Sequence, residues 1–250
     1  MTPPLLEIRQ LTHRYPDGNG GIFDINFSIS KGEFIILAGK NGSGKTTLIR
    51  HLNGLLLPQK GEVRLYGQNI LKDLTLTRKT VGMVFQDADT QIVGDTVFDE
   101  VAFGPENLNQ PREQIKAKVV GLLERLDLIG KKDRNPATLS GGEKRRLAIA
   151  GILAMDPEII IFDEPFANLD HPGSLSLLST ISHLNQKGQA IIMATHDVES
   201  VMNHASRMLI MDDGRLGADG SVTDLVKKLE SYGVKEPCAC KIAASFPWQP

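Results

Sequence analysis

Apolar residues follow two rhythms along this chain. From Ile22 to Ile29 they alternate, with Ile25, Phe27 and Ile29 on one face and Asp24, Asn26 and Ser28 on the other, which predicts a half-buried strand. Leu5 to Leu11 alternates more loosely and predicts another. Phe34–Ala38, Ile159–Phe162 and Ala190–Ala194 have no polar interruption, the mark of strands buried on both faces. A helical period takes over from Arg112 to Leu128, where Ile115, Val119, Leu122 and Leu126 share a face. Helices are also expected over Thr46–Leu57, from Gly142 to about Met155, and from Ser174 to Gln186. Buried strands alternating with helices predict an α/β fold with a mostly parallel sheet covered on both faces. The helix-rich stretch from about 87 to 155 reads as an insertion in that pattern. Residues 1–230 are expected to form a single domain, and 231–250, which lose periodicity, a tail.

Composition narrows the picture by exclusion. Of 250 residues, 41% are hydrophobic and 23% charged, a globular rather than a disordered mix. Lys and Arg total 28 against 30 Asp and Glu, so the net charge of -2 argues against bulk attraction to nucleic acid or an anionic membrane. Cys238 and Cys240 are the two cysteines, too few for a disulfide scaffold or a closed metal site. No apolar run approaches the ~18 residues of a membrane span, and the first residues lack the pattern of a secretory signal. The expectation is a soluble, cytoplasmic chain that deals with a membrane only through a partner.

Gly39-Lys40-Asn41-Gly42-Ser43-Gly44-Lys45-Thr46 fits the phosphate-loop pattern G-x-x-x-x-G-K-[ST], after a buried strand and before a helix. Gly39, Gly42 and Gly44 let the backbone bend close to an anion, and the loop N–H groups and the helix N-terminus point at phosphate oxygens. Lys45 supplies a cation for the terminal phosphates, and the Thr46 hydroxyl is suited to Mg²⁺. A second candidate pair, Asp163 and Glu164, ends an apolar strand, where ligands of a parallel sheet collect. Asp163 is expected to hold Mg²⁺ and Glu164 to polarise the attacking water.

Leu139-Ser140-Gly141-Gly142-Glu143, just before the acidic strand, resembles the signature motif of ATP-binding-cassette (ABC) ATPases, with Glu143 where that motif usually has Gln. On residue types alone, Ser140, Gly141 and Gly142 open a helix and make a second anion-binding N-terminus. The resemblance runs from about Leu5 to Leu229 and implies a phosphate-loop NTPase core, an N-terminal antiparallel β subdomain and an inserted helical subdomain. It implies ATP and Mg²⁺ as ligands, with Tyr15 stacking on adenine and Thr47 beside the phosphate loop. Gln86 resembles the glutamine that senses Mg²⁺ and the attacking water, and His196 the switch histidine that contacts the terminal phosphate. Asn168-Leu169-Asp170 resembles the loop that crosses a dimer interface. The family works as a head-to-tail dimer in which each signature closes over the partner's nucleotide.

The stretch Gln86–Asn107, together with Ser140–Arg146, is similar to energy-coupling-factor importers, and closest to their cobalt and nickel branch. That similarity implies a transmembrane scaffold protein, a substrate-binding membrane protein and a second ABC ATPase subunit, identical or paralogous, as partners. It places the chain at the cytoplasmic face of the cell membrane and excludes nucleic acid as a partner. The cargo, a transition-metal ion or a vitamin, touches no residue of such an ATPase. Two alternatives stay open on the residues: a soluble cassette protein acting on ribosomes or DNA, and a small-molecule kinase or GTPase. The charged runs Lys131–Arg134 and Lys144–Arg146 are expected to be solvated faces.

Overall fold

In the computed structural model, which describes residues 3–16, 18, 20–167 and 169–237, the uninterrupted apolar runs become the inner strands of one sheet. The chain opens with β1 (Leu6–Arg14), β2 (Gly21–Ile29), β3 (Phe34–Ala38) and α1 (Lys45–Leu52). It continues through β4 (Lys60–Leu65), β5 (Gln68–Asn69), α2 (Leu74–Thr80) and β6 (Val81–Val84). Three helices follow, α3 (Val97–Asn107), α4 (Arg112–Arg125) and α5 (Gly141–Leu153). The last part is β7 (Ile159–Asp163), α6 (His171–Gln186), β8 (Ala190–Ala194), β9 (Arg207–Asp212), β10 (Arg215–Ser221) and α7 (Val222–Leu225).

Two sheets result. A four-stranded antiparallel sheet has the order β2-β1-β4-β5. A six-stranded sheet has the order β10-β9-β3-β8-β7-β6, parallel except for β10. Period-2 alternation in the inner strands divides the apolar residues between two cores. Phe34, Ile36, Ile160, Phe162, Ile191 and Met193 face the core shared with the inserted helices and α6. Ile35, Leu37, Ile159, Ile161 and Ile192 face the core shared with α1 and the antiparallel sheet. Full burial of each such side chain is worth about 1.5–3 kcal/mol. The ends of β3, β8, β7 and β6 are thereby held side by side, and Lys45, Thr46, Gln86, Asp163, Glu164 and His196 lie at or just beyond them.

Some boundaries depart from the sequence pattern, two of them with clear local reasons. The helix expected to reach Leu57 stops at Leu52, because Gly54 takes a left-handed φ of 72° and the N–H groups of Leu55 and Leu56 turn back to the Arg50 carbonyl, both at 2.9 Å. Past residue 230 the chain still packs: the Tyr232 hydroxyl donates to the Gly217 carbonyl at 3.1 Å, and Val234 is buried in the core. Cys238 and Cys240 lie outside the described residues. Among the described residues, no helix is long and apolar enough to cross a membrane.

Candidate active site

The loop between β3 and α1 has a backbone that side chains would obstruct. Gly39, Gly42 and Gly44 have φ values of 150°, 79° and 101°. A Cβ on Gly39 would meet the Met211 carbonyl oxygen at 2.5 Å, and one on Gly44 would meet Ile22 Cγ2 at 2.9 Å. The loop wraps its own lysine: Lys45 Nζ donates to the carbonyls of Gly39 at 2.7 Å and Lys40 at 3.2 Å. Burial pushes the Lys45 pKa down, while Glu164 and Asp163 pull it back up.

Thr46 and Asp163 come from different elements and meet: Thr46 Oγ1 donates to Asp163 Oδ2 at 3.2 Å. Asp163 is only 6% exposed, and burial is the main reason its pKa lies above the ordinary carboxylate range. Glu164 follows with a φ of 46°, a left-handed conformation uncommon for a residue with a Cβ. Its N–H is fixed to the Ala194 carbonyl at 2.9 Å, so β8 holds the turn. The carboxylate accepts from Thr195 Oγ1 at 3.2 Å and from the His196 N–H at 3.1 Å, and Oε1 lies 2.9 Å from His196 Nδ1. The imidazole itself is 69% exposed and open to a ligand.

These groups line one cleft of about 530 Å³. Its floor is Asn41, Gly42, Gly44, Lys45, Thr46 and Thr47; Asp163, Glu164, His196 and Gln86 face it from the other strand ends. Tyr15 closes the remaining side, its hydroxyl 3.1 Å from Thr47 Oγ1 and its ring set edge-on to His13. Gly20 and Gly21 line the cleft too; the sequence shows them as turn residues only. Three members of the loop pattern do not line it. Gly39 lies behind the loop, Ser43 is buried, and Lys40 turns away to Asp213 at 2.8 Å and Asp212 at 3.4 Å.

The signature segment lies elsewhere. Ser140 caps α5, accepting from the Glu143 N–H at 3.4 Å, and Glu143 accepts from the Ser140 N–H at 2.9 Å, a reciprocal capping box. Lys131 donates to the Glu143 carboxylate, and this contact holds its pKa down at about 2. Leu139 is buried in the core and Gly141 is exposed at the helix start. Ser140 and Gly142 line a second cleft of about 440 Å³ with Leu169 and Asp170, the residue that caps α6 by accepting from the Gly173 N–H at 2.9 Å. Among the described residues, none lines both clefts. Asn168 lies outside the described residues.

Comparison with known proteins decides the family. The profile of the ABC transporter family matches residues 22–167. The chain belongs to that family. It is therefore an ATP-binding, ATP-hydrolysing enzyme of the ABC type. The energy-coupling factor transporter ATP-binding protein EcfA of Methanocaldococcus jannaschii is 44% identical over 91% of this chain and 82% of its own length. EcfA of Carboxydothermus hydrogenoformans is 38% identical over 96% of this chain and 90% of its own. Among solved structures, cbiO1 from Clostridium perfringens, part of the ABC transporter complex cbiONQ, superposes with a TM-score of 0.83 at 31% identity, covering 98% of this chain and 97% of that one. Against this ABC ATPase frame, the sequence pattern missed Arg145. It reads as part of a solvated basic run, yet it is 5% exposed and donates to the carbonyls of Phe85 and Gln86, each at 2.5 Å.

Proposed function

We propose that this chain is the ATP-hydrolysing subunit of an energy-coupling-factor importer. In this reading it works as a head-to-tail pair with an identical or paralogous subunit at the cytoplasmic face of the membrane. A transmembrane scaffold protein and a substrate-binding membrane protein complete the importer, and its cargo is a transition-metal ion such as cobalt or nickel, with a vitamin as the other cargo class. The separation of the two clefts carries the reading: the signature residues of one chain do not reach its own phosphate cleft. A second chain, turned about, would bring Ser140 and Gly142 over the nucleotide that the first chain holds. The relatives named EcfA, and the likeness to cbiO1 as part of an ABC transporter complex, support the importer.

The residues divide the chemistry as follows. The loop N–H groups and Lys45 bind the phosphates of ATP, and Tyr15 stacks on the base. Buried Lys45 and buried Asp163 are each pushed toward their neutral forms. A polyphosphate with a divalent cation would add countercharge that offsets the burial of both. The oxygen donors Thr46, Asp163 and Gln86 suit Mg²⁺, a hard cation that neutralises phosphate charge when bound. Glu164 orients a water and takes its proton as the water oxygen bonds to the γ-phosphorus and the bond to the β-phosphate oxygen breaks, leaving ADP and phosphate. His196, whose Nδ1 faces Glu164, presents its ring to the terminal phosphate. ATP favours the closed pair because the signature gains contacts only while the γ-phosphate is present.

Purification of the tagged chain from detergent-solubilised membranes tests the importer reading. It should bring down two membrane proteins in fixed proportion, with cobalt or nickel enriched in elemental analysis. Recovery with ribosomes or DNA instead would contradict it.

A further inference from the structure

Arg145 is a buried guanidinium whose hydrogen-bond partners, among the described residues, are neutral. Its two terminal nitrogens donate to consecutive backbone carbonyls, Phe85 and Gln86, at 2.5 Å each. Asp87 and Asp163 act on it through the surrounding field. Burying a charge that ends on carbonyls is a costly way to stabilise a fold, and an apolar side chain of that volume often serves as well. What the fork does supply is direction: two donors fixed in one plane set the register of the two successive carbonyls they grip.

The gripped peptide carries Gln86, which lines the phosphate cleft. Arg145 sits on α5, five residues after Ser140, and lines the signature cleft. It is thus the described residue that lines one cleft and holds, by hydrogen bonds, a residue of the other. Lys144 adds a second tie from the same helix, its Nζ 2.5 Å from Asp89 Oδ1. On the far side, Gln91 accepts from the Phe85 N–H at 3.0 Å and donates to the Met83 carbonyl at 3.3 Å, so the loop is braced at both ends.

We infer that Arg145 is a positioning residue: its fork fastens the backbone of Gln86 to the signature helix, so that a shift of that helix, when a partner engages Ser140, moves Gln86 in the phosphate cleft. This rests on the role proposed above for Gln86.

A double-mutant cycle tests it, using Arg145→Gln, Gln86→Ala and the combination in the full chain. Arg145→Gln should lower kcat by a factor on the order of 10², with KM for ATP and the melting temperature near wild type, as expected for a misplaced reacting geometry. Gln86→Ala should fall similarly, and the double variant should be no slower than the slower single one, because both break one linkage. Multiplied losses in the double variant, or wild-type kcat in Arg145→Gln, would overturn the role of Arg145 and leave Gln86 as proposed. Wild-type kcat in Gln86→Ala would remove the Gln86 reading itself, and the inference with it. Should Arg145→Gln fail to fold, Arg145→Lys keeps the charge and the stem but not the fork. It should show the same loss of kcat at unchanged KM, and full activity in it would overturn the inference.

Discussion

The two clefts of this chain are built by different means. The phosphate cleft gathers its groups from four adjacent strand ends: a left-handed glutamate, a lysine whose pKa burial lowers and an aspartate whose pKa burial raises. The signature cleft is walled in part by helix ends whose capping groups already answer one another. Ser140 is engaged with Glu143, Glu143 with Lys131, and Asp170 with the Gly173 N–H. One cleft is strained and charged before its ligand arrives; the other is at rest. That contrast is what a split site requires. In the proposed pair, the half that binds nucleotide would be preorganised, and the half offered to a partner would keep its capping groups satisfied while the subunits are apart.

The largest expected effect falls on the strained half. Glu164→Gln removes the proton acceptor proposed above and leaves the phosphate loop untouched. It should slow phosphate release by about 10²–10⁴-fold, roughly 3–5 kcal/mol, while equilibrium binding of ATP persists. Wild-type turnover would mean that the conformation at Glu164 has no catalytic use. The smallest falls on the resting half. Glu143→Gln keeps the cap geometry but loses the charge that pairs with Lys131. Since the folded pKa of Glu143 lies below its ordinary value, its contribution is complete above about pH 4.5 and fades as the pH falls toward about 2. The variant should be less stable by about 1 kcal/mol or less at pH 7, with the gap in thermal melting closing on acidification. A gap that widened in acid would break the picture of Glu143 as a paired carboxylate.

Much of this was legible in the chain before its coordinates. The uninterrupted runs gave three parallel strands because a strand covered on both faces has no polar side to show. The glycine spacing at 39, 42 and 44 gave the loop, since left-handed backbone at those positions tolerates little else. What stayed hidden depends on contacts far apart in sequence. Nothing local marks Arg145 for burial under a loop 60 residues away, and its neighbours Lys144 and Arg146 are likewise only partly exposed where the pattern predicts a solvated run. Lys40 fits the loop pattern, yet the β9–β10 turn draws its side chain to Asp212 and Asp213. The outer strand β10 stays hidden because it exposes alternate small and polar residues and carries two glycines, whereas β9 does carry an uninterrupted apolar run, Met208–Met211, of the kind seen in the other inner strands.

The account stands or falls on whether ATP joins two chains through Ser140. Sedimentation of Glu164→Gln at saturating ATP measures this directly, beside the same protein carrying Ser140→Arg. The account predicts a dimer for the first, and a monomer that still binds ATP for the second. A monomer in both, or a dimer that survives Ser140→Arg, would contradict it.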